Sequence, residues 1–269
     1  MNMKNKVVLI TGATSGIGKA LALAFGNAGA VVVITGRNEL NLKQTAQELN
    51  QQNIRHLALQ ADVSQEQDCE RMVTETIAQF GKLDVLINNA GISMRAMFEQ
   101  LDLDVIRKVM DINFYGTVYA TKYALPHILN TKGSVIGISS IAGYRGLPGR
   151  TGYSASKFAM HGFLETLRTE LLDRGVHVMI ACPGFTASNI RNAALAANGQ
   201  AQGESPREED KMMSAEEVAA RILKATYQRK RDLVMTAQGK LTVFLNKWLP
   251  SLTDRLVLNH FKKEKDSPV

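Results

Sequence analysis

The chain is poor in cysteine, proline and aromatics, and it has no long apolar run. Its two cysteines, Cys69 and Cys182, are far apart and each lies inside an element-like stretch. That excludes a disulfide framework and suits buried thiols in a reducing compartment. Six prolines in 269 residues, with no low-complexity tract, exclude a disordered or linker-strung protein. The first apolar stretch, "VVLI", breaks at Thr11 and Gly12, so neither a secretory signal nor a membrane span is expected, and a cytoplasmic location is. His56, His127, His161, His177 and His260 show no ligand spacing and no accompanying carboxylate cluster, so no metal site is expected. The formal net charge of +7 invites a nucleic-acid partner, but its distribution argues against one. From residue 229 onward nine Lys/Arg face four Asp/Glu, so most of the excess belongs to the tail and needs a local explanation.

Short β-branched runs alternate with helical segments along most of the chain. The runs are 6–11, 30–35, 54–60, 83–88, 133–139, 176–182 and, shorter, 232–237; the periodic segments are 16–28, 39–51, 66–80, 103–130 and 152–174. Strand runs with little polar alternation predict a parallel sheet covered on both faces. The rhythm predicts an α/β protein with one Rossmann-type, doubly wound sheet of about seven strands in a single domain over 1–238. A basic extension, 239–269, follows. Residues 184–214 are polar and come just after the sixth run, where an open parallel sheet places its ligand crevice; they form a candidate substrate lid.

After the first run comes "TGATSGIG", residues 11–18. Gly12, Gly16 and Gly18 let the chain turn tightly and approach a pyrophosphate, with Thr14, Ser15 and Ile17 completing the turn. The helix start offers free N–H groups to the phosphates. The second run ends in "ITGRN", with Gly36 where an NAD site keeps an acid, followed by Arg37. A guanidinium suits the 2′-phosphate of NADP, and no nearby carboxylate is expected to compete for it. Asp62, beside Val63, either accepts a hydrogen bond from an adenine or caps the helix at 66–80.

"TGATSGIG", "NNAG" (88–91), Asn113 in "INFYG", "GISSIAG" (137–143), "YSASK" (153–157) and "PG" (183–184) occur in one order. This set resembles the short-chain dehydrogenase/reductase family over residues 6 to about 184. The resemblance implies a nicotinamide cofactor and carbonyl–alcohol interconversion by hydride transfer. Tyr153 then corresponds to the proton donor. Its ordinary pKa near 10 is high for the reverse role as base. Lys157, one helical turn along, would lower it and hold the nicotinamide ribose. Ser140 corresponds to the serine that orients the carbonyl, with Ser139 as the register alternative. Asn113 corresponds to the residue that anchors a water in a relay to Lys157. Asn89, Ala90 and Gly91 would support the adenosine side, Asn88 being either part of this or a strand-end cap. Pro183, Gly184 and Thr186 would line the nicotinamide.

In the tail, Leu241, Phe244, Leu245, Trp248 and Leu249 fall on one helical stripe, with Lys240, Asn246 and Lys247 opposite. Pro250 interrupts, and Ser251 with Asp254 reads as a capping box for a second helix. The stripe either covers the domain's own core or a partner subunit, or it lies on a membrane through 240–263, with Trp248 at the boundary and basic residues toward anionic head groups. The second option matches family members that reduce lipid or steroid ketones. The reading is an NADP(H)-dependent reductase of a hydrophobic carbonyl substrate. A 3-oxoacyl-carrier reductase and an idle NADP-binding regulator are the alternatives. The resemblance implies a homodimer or homotetramer through the long helices.

Overall fold

The computed structural model describes residues 2–186, 190–203, 212–264 and 267. Parts of the expected substrate loop (187–189 and 204–211) and the chain end (265, 266, 268 and 269) lie outside these. Seven strands, β1 (Val7–Ile10), β2 (Val31–Gly36), β3 (His56–Gln60), β4 (Val85–Asn88), β5 (Ser134–Ile138), β6 (His177–Cys182) and β7 (Asp232–Val234), form one parallel sheet. Its order is β3-β2-β1-β4-β5-β6-β7, so the chain winds outward from β1 in one direction and then, from β4, in the other. The reversal between β1 and β4 opens a crevice at the carboxyl ends of the strands.

The strands β1, β4, β5 and β6 are buried along their whole length because both faces of the sheet are covered. On one face pack α1 (Gly16–Asn27), α2 (Glu39–Gln51) and α7 (Ala215–Tyr227); Leu21, Phe25, Leu49 and Ile222 bury against Val8, Ile34 and Ile136. On the other lie α3 (Glu66–Phe80), α5 (Gly116–Thr131) and α6 (Thr151–Glu170), whose Met72, Ile128 and Leu164 close over Leu9, Leu86 and Ile180. Both cysteines are buried thiols.

The expected single helix over 103–130 is two helices, α4 (Leu103–Met110) and α5, joined by a π-helical turn at Asp111–Tyr115. Such insertions occur at functional sites because they re-aim one side chain; here the turn presents Asn113. Asp62 does not cap α3. Its carboxylate accepts hydrogen bonds from the Ser64 N–H and hydroxyl, and Gln65 is the cap residue.

Helices α8 (Ala237–Trp248) and α9 (Pro250–Phe261) form a hairpin over the end of the crevice. Pro250 begins α9, a position its fixed φ suits, and no side chain caps the helix. The expected Ser251–Asp254 capping box is therefore absent: Asp254 pairs with Arg145 instead. Of the α8 stripe, Leu245 is half-buried and lines a cavity of the protein itself. Leu241, Phe244, Trp248 and Leu249 are exposed, whereas Asn246 from the polar side turns inward and donates to the Tyr144 carbonyl at 3.0 Å.

Candidate active site

The turn after β1 determines the first wall of the crevice. Gly12 sits in the left-handed region at φ +64°, and a Cβ there would come within 2.8 Å of the Ala90 Cα. A Cβ on Gly18 would lie 2.1 Å from the Gly12 carbonyl oxygen. Only glycine permits this close approach of the β1 turn, α1 and the 88–91 segment. The Thr11 hydroxyl accepts from the N–H groups of Asn89 and Ala90, and the Asn89 amide donates to the Thr11 and Gly12 carbonyls. The first turn of α1 carries no acid and no side-chain cap, so its N–H groups and dipole face the crevice. This cradle fits a pyrophosphate.

A cavity of about 380 Å³ runs from this cradle along the strand ends. Thr14, Ser15, Ile17, Arg37, Asp62 and Val63 line one end; Asn89, Ala90 and Gly91 line its middle. Ser140, Tyr153, Lys157, Pro183, Gly184 and Thr186 line the other end. Every expected cofactor residue except Gly12 therefore lines this one cavity. Contrary to expectation, Arg37 does have a carboxylate nearby: Asp62 Oδ2 lies 3.8 Å from its Nη1. That separation is beyond hydrogen-bond range, and the guanidinium is more than half exposed.

Ser140, Tyr153 and Lys157 converge because β5 ends at Ile138 and α6 crosses behind it. Ser139 and Ser140 follow the strand, and they diverge. Both border the cavity, but Ser139 turns its Oγ to His161 Nε2 at 2.7 Å, whereas the Ser140 side chain interacts with Tyr153. Burial pushes the Tyr153 phenol above its ordinary value, and the hydrogen bond from Ser140 pulls the other way without overcoming it. The lowering expected from Lys157 is not realised by the chain alone. Lys157 Nζ donates to the Ile138 carbonyl at 2.9 Å, and burial pulls its ammonium down to about 8. Asn113 is fully buried. Its amide donates to the Ile92 carbonyl and to Ser156 Oγ, both at 2.9 Å, and accepts from the Ile92 N–H at 2.8 Å. It thereby ties the "NNAG" segment to α6. Asn88 donates to Thr121 inside the core, away from the cavity.

Sequence reasoning missed the second cavity. It measures about 670 Å³, meets the first at Ser140, Pro183 and Gly184, and is mostly apolar. Ile141, Leu147 and Phe185 form its inner wall, and Leu245, Val257 and Phe261 of the C-terminal hairpin form its outer one. The signal was in the tail stripe itself, since Leu241 and Leu245 line this cavity. In the 184–214 loop, Leu195 bridges to Met94 and buries with Ala96, Leu101 and Val105, so this part of the expected lid is packed into the wall. Among the described residues no group of His, Cys, Asp and Glu could hold a metal ion, and no helix is long and apolar enough to cross a membrane.

The arrangement matches known proteins over most of its length. The short chain dehydrogenase family model matches residues 6–199. Dehydrogenase/reductase SDR family member 7B of Mus musculus is 35% identical over 98% of this chain and 84% of its own. 11-beta-hydroxysteroid dehydrogenase 1A of Arabidopsis thaliana is 42% identical over 70% of this chain and 54% of its own. A short chain dehydrogenase/reductase from Burkholderia phymatum, solved in complex with NAD, superposes with a TM-score of 0.84 at 23% identity, covering 94% of this chain and 96% of that one. An alcohol dehydrogenase from Thermococcus sibiricus, complexed with 5-hydroxy-NADP, gives 0.73 at 22% identity over 86% and 95% of the two chains.

Proposed function

The chain belongs to the short-chain dehydrogenase family of oxidoreductases, and from that premise we propose that it reduces a ketone or aldehyde on an apolar substrate with NADPH. One observation carries the reading: Ser140 and the 183–184 turn stand where a phosphate-cradling cleft meets an apolar cavity, with Tyr153 and Lys157 in the cleft wall beside them. NADPH held along the cleft would supply the hydride. Gly12, Gly16 and Gly18 would admit its pyrophosphate, Arg37 would take the 2′-phosphate, and Thr186 and the 183–184 turn would hold the nicotinamide end. Ser140 donates to the substrate carbonyl oxygen and fixes its position. As hydride adds to the carbonyl carbon, Tyr153 passes its phenolic proton to the oxygen, giving the alcohol. A phenol pushed up by burial stays protonated at neutral pH, the form that a proton donor needs. Lys157 places a positive charge beside the phenolate left behind, and Asn113 holds the 88–92 segment and α6 in register.

The choice of NADP over NAD rests on Arg37 and the missing acid at Gly36, since solved neighbours hold either NAD or an NADP analogue. An apolar cavity of about 670 Å³ suits a lipid or steroid-like ketone, in keeping with the steroid named for the plant relative. The exposed edge of α8 and α9 would rest on an anionic membrane surface, and exposed Tyr115 and Phe158 would pair copies of the chain into a homodimer or tetramer. The test is NADPH oxidation against ketones of graded apolar bulk. We expect turnover to rise with bulk and NADPH to be preferred over NADH. Arg37→Ala should reduce that preference by about tenfold to a hundredfold, the value of one charged hydrogen-bonded contact. NADPH binding without acceleration by any ketone would refute the reductase.

A further inference from the structure

The Ser139–Ser140 divergence traces to one buried side chain that the mechanism above does not use. His161 is on α6, one turn beyond Lys157 and two beyond Tyr153, and it too points at the end of β5. Its Nε2 lies 2.7 Å from Ser139 Oγ and 3.8 Å from Cys182 Sγ at the end of β6. Its ring fills the space above Gly143, where a Cβ would come within 2.5 Å of Nε2. The Tyr144 ring meets it edge-on at 4.5 Å between centroids. His161 therefore grips Ser139 on one side of Ser140, and Gly143 and Tyr144 on the other. Ser140 itself begins the 3-10 turn Ile141–Gly143, its Oγ accepting from the Ala142 N–H. Nothing in packing alone calls for a histidine here. A leucine would fill the space, whereas an imidazole must be buried uncharged and supplied with a partner. Burial brings its pKa down to about 4, and the Lys157 ammonium pushes the same way, so the ring is neutral wherever the enzyme would work.

We propose that His161 is a positioning residue: through Ser139, Gly143 and Tyr144 it locks the turn that carries Ser140 to the helix that carries Tyr153 and Lys157. The proposal rests on the reductase reading. It assigns the distance between the carbonyl-orienting hydroxyl and the proton donor to a hydrogen bond one layer behind both. The register alternative is thereby explained. Of two adjacent serine hydroxyls, one is held by His161 and the other is left to Tyr153.

Four variants test it: His161→Leu, His161→Gln, Ser139→Ala and the His161→Leu/Ser139→Ala double. For His161→Leu and Ser139→Ala we expect kcat to fall by about tenfold to a hundredfold, the scale of a small misplacement of reacting groups, with NADPH affinity unchanged. His161→Gln, which keeps a side-chain partner for Ser139, should recover kcat to within about threefold of the parent, and the double variant should be no worse than the poorer single one. Backbone hydrogen exchange over 139–144 should quicken by about fivefold or more in the Leu and Ala variants and not over 12–18. Parent-like kcat in both single variants, losses that multiply in the double, failure of Gln to recover, or unchanged exchange over 139–144 would each overturn the proposal. If the parent itself reduces no ketone, the reductase reading fails, and the exchange measurement still decides whether His161 holds the turn.

Discussion

Helices α6 and α8 invert the usual rule of burial in opposite directions. On α6 the residues at i, i+4 and i+8 are Tyr153, Lys157 and His161, a polar stripe turned into the protein, with Lys157 only 3% exposed. On α8 most of the apolar stripe is turned out, with Trp248 at 64% exposed, while Leu245 lines the second cavity and Asn246 turns inward. A buried polar stripe and an exposed apolar one are the two arrangements that cost folding free energy, and so neither is explained by folding. On α6 the proposed chemistry would give each polar side chain of the stripe a task. On α8 Phe244, Trp248 and Leu249 stay exposed among the described residues, and a surface outside the chain would offset their exposure. The largest expected effects therefore fall on α6 as lost chemistry, and the smallest on α8 as lost association.

Lys157→Met should break the α6 side of this comparison most severely. Removing the charge beside the phenol should lower kcat by about 10²- to 10⁴-fold, while the fold persists. It should also change how stability depends on pH. The ammonium has its pKa near 8 in the folded protein, against an ordinary 10.5. Between those values the unfolded chain holds a proton that the folded one has released, so stability rises with pH across that window. Cys69 and Cys182, whose thiols burial pushes up to about 12, act in the opposite sense above their ordinary 9. The informative quantity is thus the difference between parent and variant in denaturant unfolding from pH 8 to 10.5, and we expect the Lys157 contribution to vanish in the variant.

His161 gives a smaller effect of the same kind on the acid side. Its folded value near 4 lies below the ordinary 6.5, so the unfolded chain binds the extra proton between them, and stability is lost as pH falls through that window. Lys157, Asp232 and Arg168 are the charged groups acting on it, and burial also pulls His177 down. His161→Leu should flatten the parent's decline between pH 6.5 and 4 without removing the His177 share. An unchanged slope would mean that the ring is charged inside the protein, and the α6 stripe would then resemble an ordinary wet face.

Why α6 could be anticipated and α8 could not is a matter of what periodicity encodes. The strands were legible because β-branched runs buried on both faces leave little else for them to be, and α2 and α3 fall where the 3.6-residue pattern puts them. The cradle was legible because Gly12 and Gly18 stand where a Cβ would strike backbone. The direction of a stripe is different: it depends on what the helix meets, and α8 meets Tyr144 and Arg145, which take Asn246. The Ser251–Asp254 signal failed for the same kind of reason, since Pro250 already begins the helix and Arg145 claims the carboxylate. The π turn at Asp111–Tyr115 left no mark either, because one extra residue in a helix changes no composition.

Trp248 and Phe244 supply the mildest test, and they bear on the α8 side alone. Both are exposed, so replacing them with alanine and serine removes little native burial, and stability should move by no more than about 0.5 kcal/mol. Association should respond more. Lys240, Lys247, Arg255, Lys262 and Lys263 are exposed around the apolar edge, and Lys247 lies 5.5 Å over the Trp248 ring, so the apolar and basic groups share one surface. In sedimentation with phosphatidylserine-containing vesicles, the double variant should bind about tenfold more weakly than the parent, and added salt should weaken the parent further. A variant that sediments like the parent, or a parent indifferent to vesicles but shifting in mass when the edge is changed, would assign this face to a second copy of the chain. The exposed stripe would then complete a protein core shared between subunits, as the buried stripe of α6 completes an active site within one.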